Sequence, residues 1–145
     1  MKKVTVLVAF ALALCTSYSF AAPVDGIDAS FRHDFQKAQL LSSEDYKTFT
    51  KFTFKMNEQV MFAFYSPNGE LLAVTRNIPS SQLPVSLLMN LKKHLDSSWI
   101  TDLFEFNSDA QNCYYVAVEN ADSKVTLRSN GNEWEVYSTV KKENK

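Results

Sequence analysis

A chain of 145 residues, 46% apolar and 21% charged, is long enough for one domain with a real core and too apolar to be disordered. A formal charge of −1 gives no electrostatic case for binding nucleic acid or an anionic membrane. Eleven Phe and six Tyr against three Gly describe a dense aromatic interior with glycine kept for turns.

In chain order, Lys2-Lys3 form a basic n-region, residues 4–14 an apolar h-region, and Ser19-Phe20-Ala21 a small-x-small cleavage pattern. Residues 1–21 therefore read as a signal peptide cut after Ala21, too short in its apolar run to span a membrane. Cys15 stands where a lipid-bearing cysteine would, but Leu14 occupies the place of the small residue that should precede one. The expectation is an exported chain, periplasmic or secreted, in preference to a lipoprotein. The remaining residues, 22–145, carry thirteen Lys and Arg against sixteen Asp and Glu, a net charge of −3. Cys113 is then the single cysteine, which rules out an intramolecular disulfide and reads as a small buried hydrophobe in an alternating strand.

The first predicted helix has Asp25 or Asp28 as N-cap and places Ile27, Phe31, Phe35 and Ala38 on one face, with Arg32, Asp34 and Lys37 facing water. Residues 40–46 read as the segment that ends it and turns the chain. Residues 51–56 alternate Phe52, Phe54 and Met56 with Lys51, Thr53 and Lys55, the pattern of a half-buried strand. Asn57-Glu58 makes a short turn. Residues 60–65 and 71–74 are apolar runs around Asn68-Gly69, which marks a tight antiparallel hairpin.

Pro84 opens a second helix, with Val85, Leu88, Leu91 and Leu95 near one stripe and Lys92, Lys93 and His94 at its C-terminal end. Strands are then expected over 99–106, 113–119, 124–128 and 134–140, the last two joined through Asn130-Gly131. Helix, strands and an Asn-Gly hairpin thus occur twice. A unit of this size barely buries its own helix face. The expected fold is α+β: two tandem units, about 27–78 and 83–140, sharing one antiparallel sheet of about seven strands with both helices on one face.

That arrangement, with residues 83–94 leading into Trp99-Ile100-Thr101-Asp102-Leu103-Phe104-Glu105 and the turn Tyr65-Ser66-Pro67-Asn68-Gly69-Glu70-Leu71, resembles the PepSY-like proteins of Bacteroidota. These share the fold of the β-lactamase inhibitor protein. The resemblance covers about residues 27–140. It implies a concave sheet that grips a partner protein and carries no active-site signature. One departure is plain: the inhibitor is disulfide-bonded, and residues 22–145 hold one cysteine.

No catalytic constellation is legible. His33 and His94 lie on the polar side or end of a helix, and no nucleophile elbow such as Gly-x-Ser-x-Gly occurs. Metal-ligand spacing is also missing, so neither enzyme activity nor a metal or cofactor is expected. The sheet is the better lead. With Tyr114, Val116, Val118, Val125, Leu127, Trp134 and Val136 turned to the helices, alternation sends Tyr115, Ala117, Glu119, Lys124, Thr126, Arg128, Glu133, Glu135, Tyr137 and Thr139 outward. Met61, Ala63, Tyr65, Leu71, Ala73 and Thr75 are the outward set of the first unit. Tyr65, Tyr115, Arg128, Glu133, Glu135 and Tyr137 are the candidate residues for an envelope or extracellular protein partner, since Tyr and Arg among opposite charges suit recognition. The alternative is a small-ligand carrier whose pocket between helices and sheet is lined by Phe31, Phe35, Phe52, Phe62 and Phe104.

Overall fold

The computed structural model describes residues 25–142; the signal-peptide reading of residues 1–21 lies outside them. Helix α1 (Asp25–Asp34) precedes strands β1 (Gln39–Asp45), β2 (Thr50–Met56), β3 (Gln59–Tyr65) and β4 (Leu71–Asn77). A 3-10 turn (Ser80–Gln82), helix α2 (Val85–Leu91) and a second 3-10 turn (Lys92–His94) lead to β5 (Trp99–Asn107), β6 (Asn112–Glu119), β7 (Ser123–Asn130) and β8 (Glu133–Lys141). The strands form one antiparallel sheet in sequential order.

The sheet has eight strands among the described residues, where seven were expected. The additional strand is β1, formed by the segment read as a turn. Residues 39–43 are all exposed, so nothing in their side chains alternates. What holds them is the backbone ladder to β2, from Gln39 opposite Lys55 to Asp45 opposite Thr50, and a propensity reading does not see a ladder. Helix α1 is also shorter than its apolar spacing, ending at Asp34. Phe35 and Ala38 still pack on the core from the following turn.

Three apolar clusters follow from strand alternation. Under α1, Phe31, Phe52, Phe54, Ala63 and Tyr65 are packed with Ile27, Phe35, Met56, Met61 and Val74. The Phe31 ring stacks on Phe52 with centroids 4.6 Å apart, and Phe35 meets Phe54 at 4.7 Å. Burying each such ring contributes roughly 1.5–3 kcal/mol, which is what docks a ten-residue helix too short to be stable alone. Under α2, Leu83, Leu87 and Leu91 meet Leu103, Val116, Val118, Leu127 and Trp134. The third cluster involves neither helix. Phe49, Phe64, Ala73, Phe106, Cys113 and Tyr115 form it, with Phe62, Phe104 and Tyr137 at its margin.

The turns are more varied than two like Asn-Gly signals implied. In each, only the glycine has positive φ, +80° at Gly69 and +61° at Gly131. Residues 66–69 close with Gly69 N–H donating to the Ser66 carbonyl, a turn ending in a left-handed glycine. Asn130 pairs with Glu133, so the second turn is Gly131-Asn132. The turn with two left-handed residues is Asn57-Glu58, at +51° and +63°. Both glycine turns also reach a helix. A Cβ on Gly69 would lie 2.8 Å from Ser30 Oγ of α1, and Asn132 accepts from Ser86 and Asn90 of α2.

Candidate recognition face

The side of the sheet that the third cluster occupies is continuous across the strands. Register places Phe62 opposite Thr75, Thr75 opposite Phe106, and Phe106 opposite Cys113. A neighbouring row runs Asn77, Phe104, Tyr115, Arg128, Glu135. Four of the six candidate residues therefore come together: Tyr115, Arg128 and Glu135 in this row, and Tyr137 with its ring 5.2 Å from that of Tyr115.

The other two do not join them. Tyr65 is fully buried on the α1 side, against Phe31 and Phe52, and its hydroxyl donates to Asp34 Oδ2 at 2.8 Å. Burial and the adjacent carboxylate push the Tyr65 hydroxyl pKa far up, so it stays a neutral donor. Met61 and Ala63 share this side with Tyr65, which reverses the outward set expected for β3. The reason is that both sides of β3 are apolar, and alternation between two apolar faces carries no sign. Pairing with β2, Phe52 opposite Ala63, decides it. Glu133 reaches α2 instead, its carboxylate accepting from Asn90 Nδ2 at 3.1 Å.

Tyr115 is on the expected side but is not available there. Only 2% of it is exposed, because it lies between Phe104 (stacked, 5.3 Å), Phe106 (edge-on, 5.9 Å) and Tyr137. Burial drives its hydroxyl, and the Cys113 thiol beside it, away from ionisation. The side occupied by the third cluster thus carries its own small core. Tyr46 stacks on Phe49 at 4.5 Å and closes one end of it. Burial, then the carboxylate of Glu44, push the Tyr46 hydroxyl up to about 12.

What remains reachable is a strip that periodicity alone did not mark. Val60 is 43% exposed and Asn77 is exposed; Phe62, Phe104, Thr126 and Tyr137 are half-buried. Fixed ion pairs frame it. Lys51 Nζ lies 3.3 Å from Glu44 and 5.3 Å from the Phe62 ring centroid on one side. Arg128 Nη2 lies 2.5 Å from Glu135 on the other, and that hydrogen bond holds the guanidinium charge more firmly. Val60 and Phe62 sat in the sequence inside an apolar run; the signal that could have found them is the hydrophobicity of both faces of β3.

The phenylalanines expected to line one pocket divide between two sides. Phe31, Phe35 and Phe52 are in contact under α1, while Phe62 and Phe104 pack against the third cluster. A shallow cavity of about 380 Å³ occurs elsewhere, bounded by Asp122, Ser123, Thr139, Lys141 and Lys142. Among the described residues no three His, Cys, Asp or Glu side chains cluster as metal ligands, and no helix is long and apolar enough to cross a membrane.

The sequence matches no family model, and no curated protein is significantly similar to it. Solved structures are similar in fold. A DUF2874 family protein from Bacteroides uniformis superposes with a TM-score of 0.71 at 12% identity, over 83% of this chain and 90% of that one. A second, from Bacteroides ovatus, gives 0.70 at 12% identity over 84% and 89%. A BLIP-like protein from Bacteroides fragilis gives 0.69 at 13% identity over 87% and 91%. At such identities the likeness is one of architecture, and it establishes that this chain has the BLIP-like fold.

Proposed function

We propose that this chain is an exported, non-enzymatic module that binds a protein partner through the strip Val60, Phe62, Asn77, Phe104, Arg128 and Tyr137. The observation that carries the reading is an aromatic strip left half-exposed on a side backed by its own buried rings and framed by two ion pairs. An apolar centre with a charged rim is the anatomy of a protein-recognition surface. The leader-like residues 1–21 support export to the periplasm or beyond, and the fold shared with a BLIP-like protein supports a binding or inhibitory role.

The same reading includes two tandem units, α1 with β1–β4 and α2 with β5–β8, with both helices on one side of the sheet, as in the PepSY-like proteins. It is supported by the cross-strand register and by the docking of each Asn-Gly hairpin on the helix of its own half. The alternative, a small-ligand carrier, has less support because its phenylalanines divide between two sides.

The test is affinity capture from an envelope extract of the native host, with Val60→Arg/Asn77→Arg beside wild type and a Val85→Arg/Met89→Arg control on the exposed side of α2. Loss of the same partner by the first variant and its retention by the control are expected. Equal recovery by all three forms would remove the strip from the mechanism. Native mass spectrometry of protein from that host addresses the alternative, which requires a mass above that of the polypeptide.

A further inference from the structure

We propose that the β4–β5 ladder is a hinge between two halves of the sheet, latched by Arg76, Glu105 and Gln59. The helix-side core is divided there: the α1 cluster draws on β2, β3 and β4, the α2 cluster on β5 to β8 and on Ile78, which follows β4 and donates its N–H to the Leu103 carbonyl, and no buried residue belongs to both. Where they would meet, the facing pair is polar. Arg76 Nε donates to Glu105 Oε2 at 2.5 Å and Arg76 Nη1 donates to Gln59 Oε1 at 2.8 Å. The two ion-paired side chains keep 35% and 21% of their exposure, so water reaches the junction.

The ladder itself is short. Four residue pairs join β4 to β5, against eight between β5 and β6. β3 and β4 also share four, but a tight turn ties them, whereas residues 78–98 separate β4 from β5. On the opposite side of the same line, Phe64 and Ala73 of one half meet Phe106, Cys113 and Tyr115 of the other. Apolar contacts are non-directional and survive a small rotation; a guanidinium–carboxylate pair holds one spacing and orientation. A rotation about β4–β5 therefore stretches the latch, keeps the aromatic contacts, and changes the curvature of the sheet. Its bearing on recognition rests on the proposed use of the side occupied by the third cluster; the hinge does not.

The experiment is amide hydrogen exchange followed by NMR on residues 22–145, without any partner, at increasing denaturant. Amides of 74–77 and 104–107 are expected to exchange through an opening with a smaller denaturant dependence than the one exposing the β2–β3 and β6–β7 ladders. Glu105→Gln, which removes the charge and leaves the side chain's shape, is expected to speed junction exchange about tenfold and leave β6–β7 unchanged. Arg76→Met/Glu105→Leu, an apolar pair, is expected to open less readily than Glu105→Gln. One common opening for every strand, equal acceleration everywhere by Glu105→Gln, or an apolar pair as open as the Gln variant would each overturn the hinge. Since no partner is present, a failed capture experiment and a failed hinge are separate results.

Discussion

Replacing Tyr115 with Ala is expected to destabilise the fold, and not merely to blunt a surface. The ring is buried with 2% exposure and touches Phe104, Phe106 and Tyr137 at centroid distances of 5.3, 5.9 and 5.2 Å. A tyrosine buries about 150–250 Å², which at about 25 cal/mol per Å² sets an upper bound of roughly 4–6 kcal/mol. The unfolded chain already buries part of that area, and Ala retains its Cβ, so about 3–4 kcal/mol is the expected loss. For a domain with about 5–15 kcal/mol in total, that is a large fraction. Urea unfolding followed by circular dichroism measures it as a lower midpoint at unchanged slope. Tyr115→Phe, which keeps the ring, should stay within about 1 kcal/mol of wild type. A Tyr115→Ala protein less than about 1 kcal/mol weaker than wild type would refute the idea that the third cluster is a core of its own.

Exposed Glu58 sits at φ +63° with its carboxylate on the half-buried Lys55, so Glu58→Gly should stabilise by about 0.5–1 kcal/mol in the same assay. Hydrogen bonds from His33 and then Tyr65 hold Asp34 below the usual carboxylate range. A lowered folded pKa stabilises above the unfolded value, near 4, and that stability is lost as pH falls through the folded value. The deficit of Tyr65→Phe, about 1 kcal/mol near pH 7, should therefore shrink on acidification toward about pH 2. Trp134 is buried and donates Nε1–H to the Leu87 carbonyl at 2.9 Å, whereas Trp99 is 53% exposed. Trp134→Phe should leave red-shifted emission that acrylamide quenches readily, with a stability loss of about 1–2 kcal/mol. Burial raises the Cys113 thiol pKa, so a disulfide reagent at neutral pH should modify it at the rate of protein opening, and at once in denaturant.

Much of the fold was legible because it is encoded locally. Phe52 and Phe54 alternate with lysines and threonine, and that strand exists; Val85, Leu88, Leu91 and Leu95 recur at helical spacing, and a helix exists over Val85–Leu91, although Val85 is exposed and Leu87 is buried in its place. β1 was not legible because its side chains do no packing and its stability resides in backbone pairing to a strand that comes later in the chain. Of the six candidate residues, Arg128, Glu135 and Tyr137 share one side with Tyr115, as strand alternation along β7 and β8 implied. Tyr65 was misplaced because β3 has two apolar sides, and Val60 and Phe62 were passed over for the same reason.

By itself, then, the sequence determined the elements whose pattern has a direction: polar against apolar along a strand, apolar every third or fourth residue along a helix, glycine where φ must be positive. Tertiary structure alone decided which side of β3 meets α1, since that choice follows from Phe52 pairing with Ala63. It also decided that an apolar cluster forms from strand and loop residues with no helix in it. Tyr115 and its neighbouring rings fill it because large aromatic side chains reach one another across the sheet, from β5 to β6 and over β7 to β8, a juxtaposition that no single stretch of sequence contains.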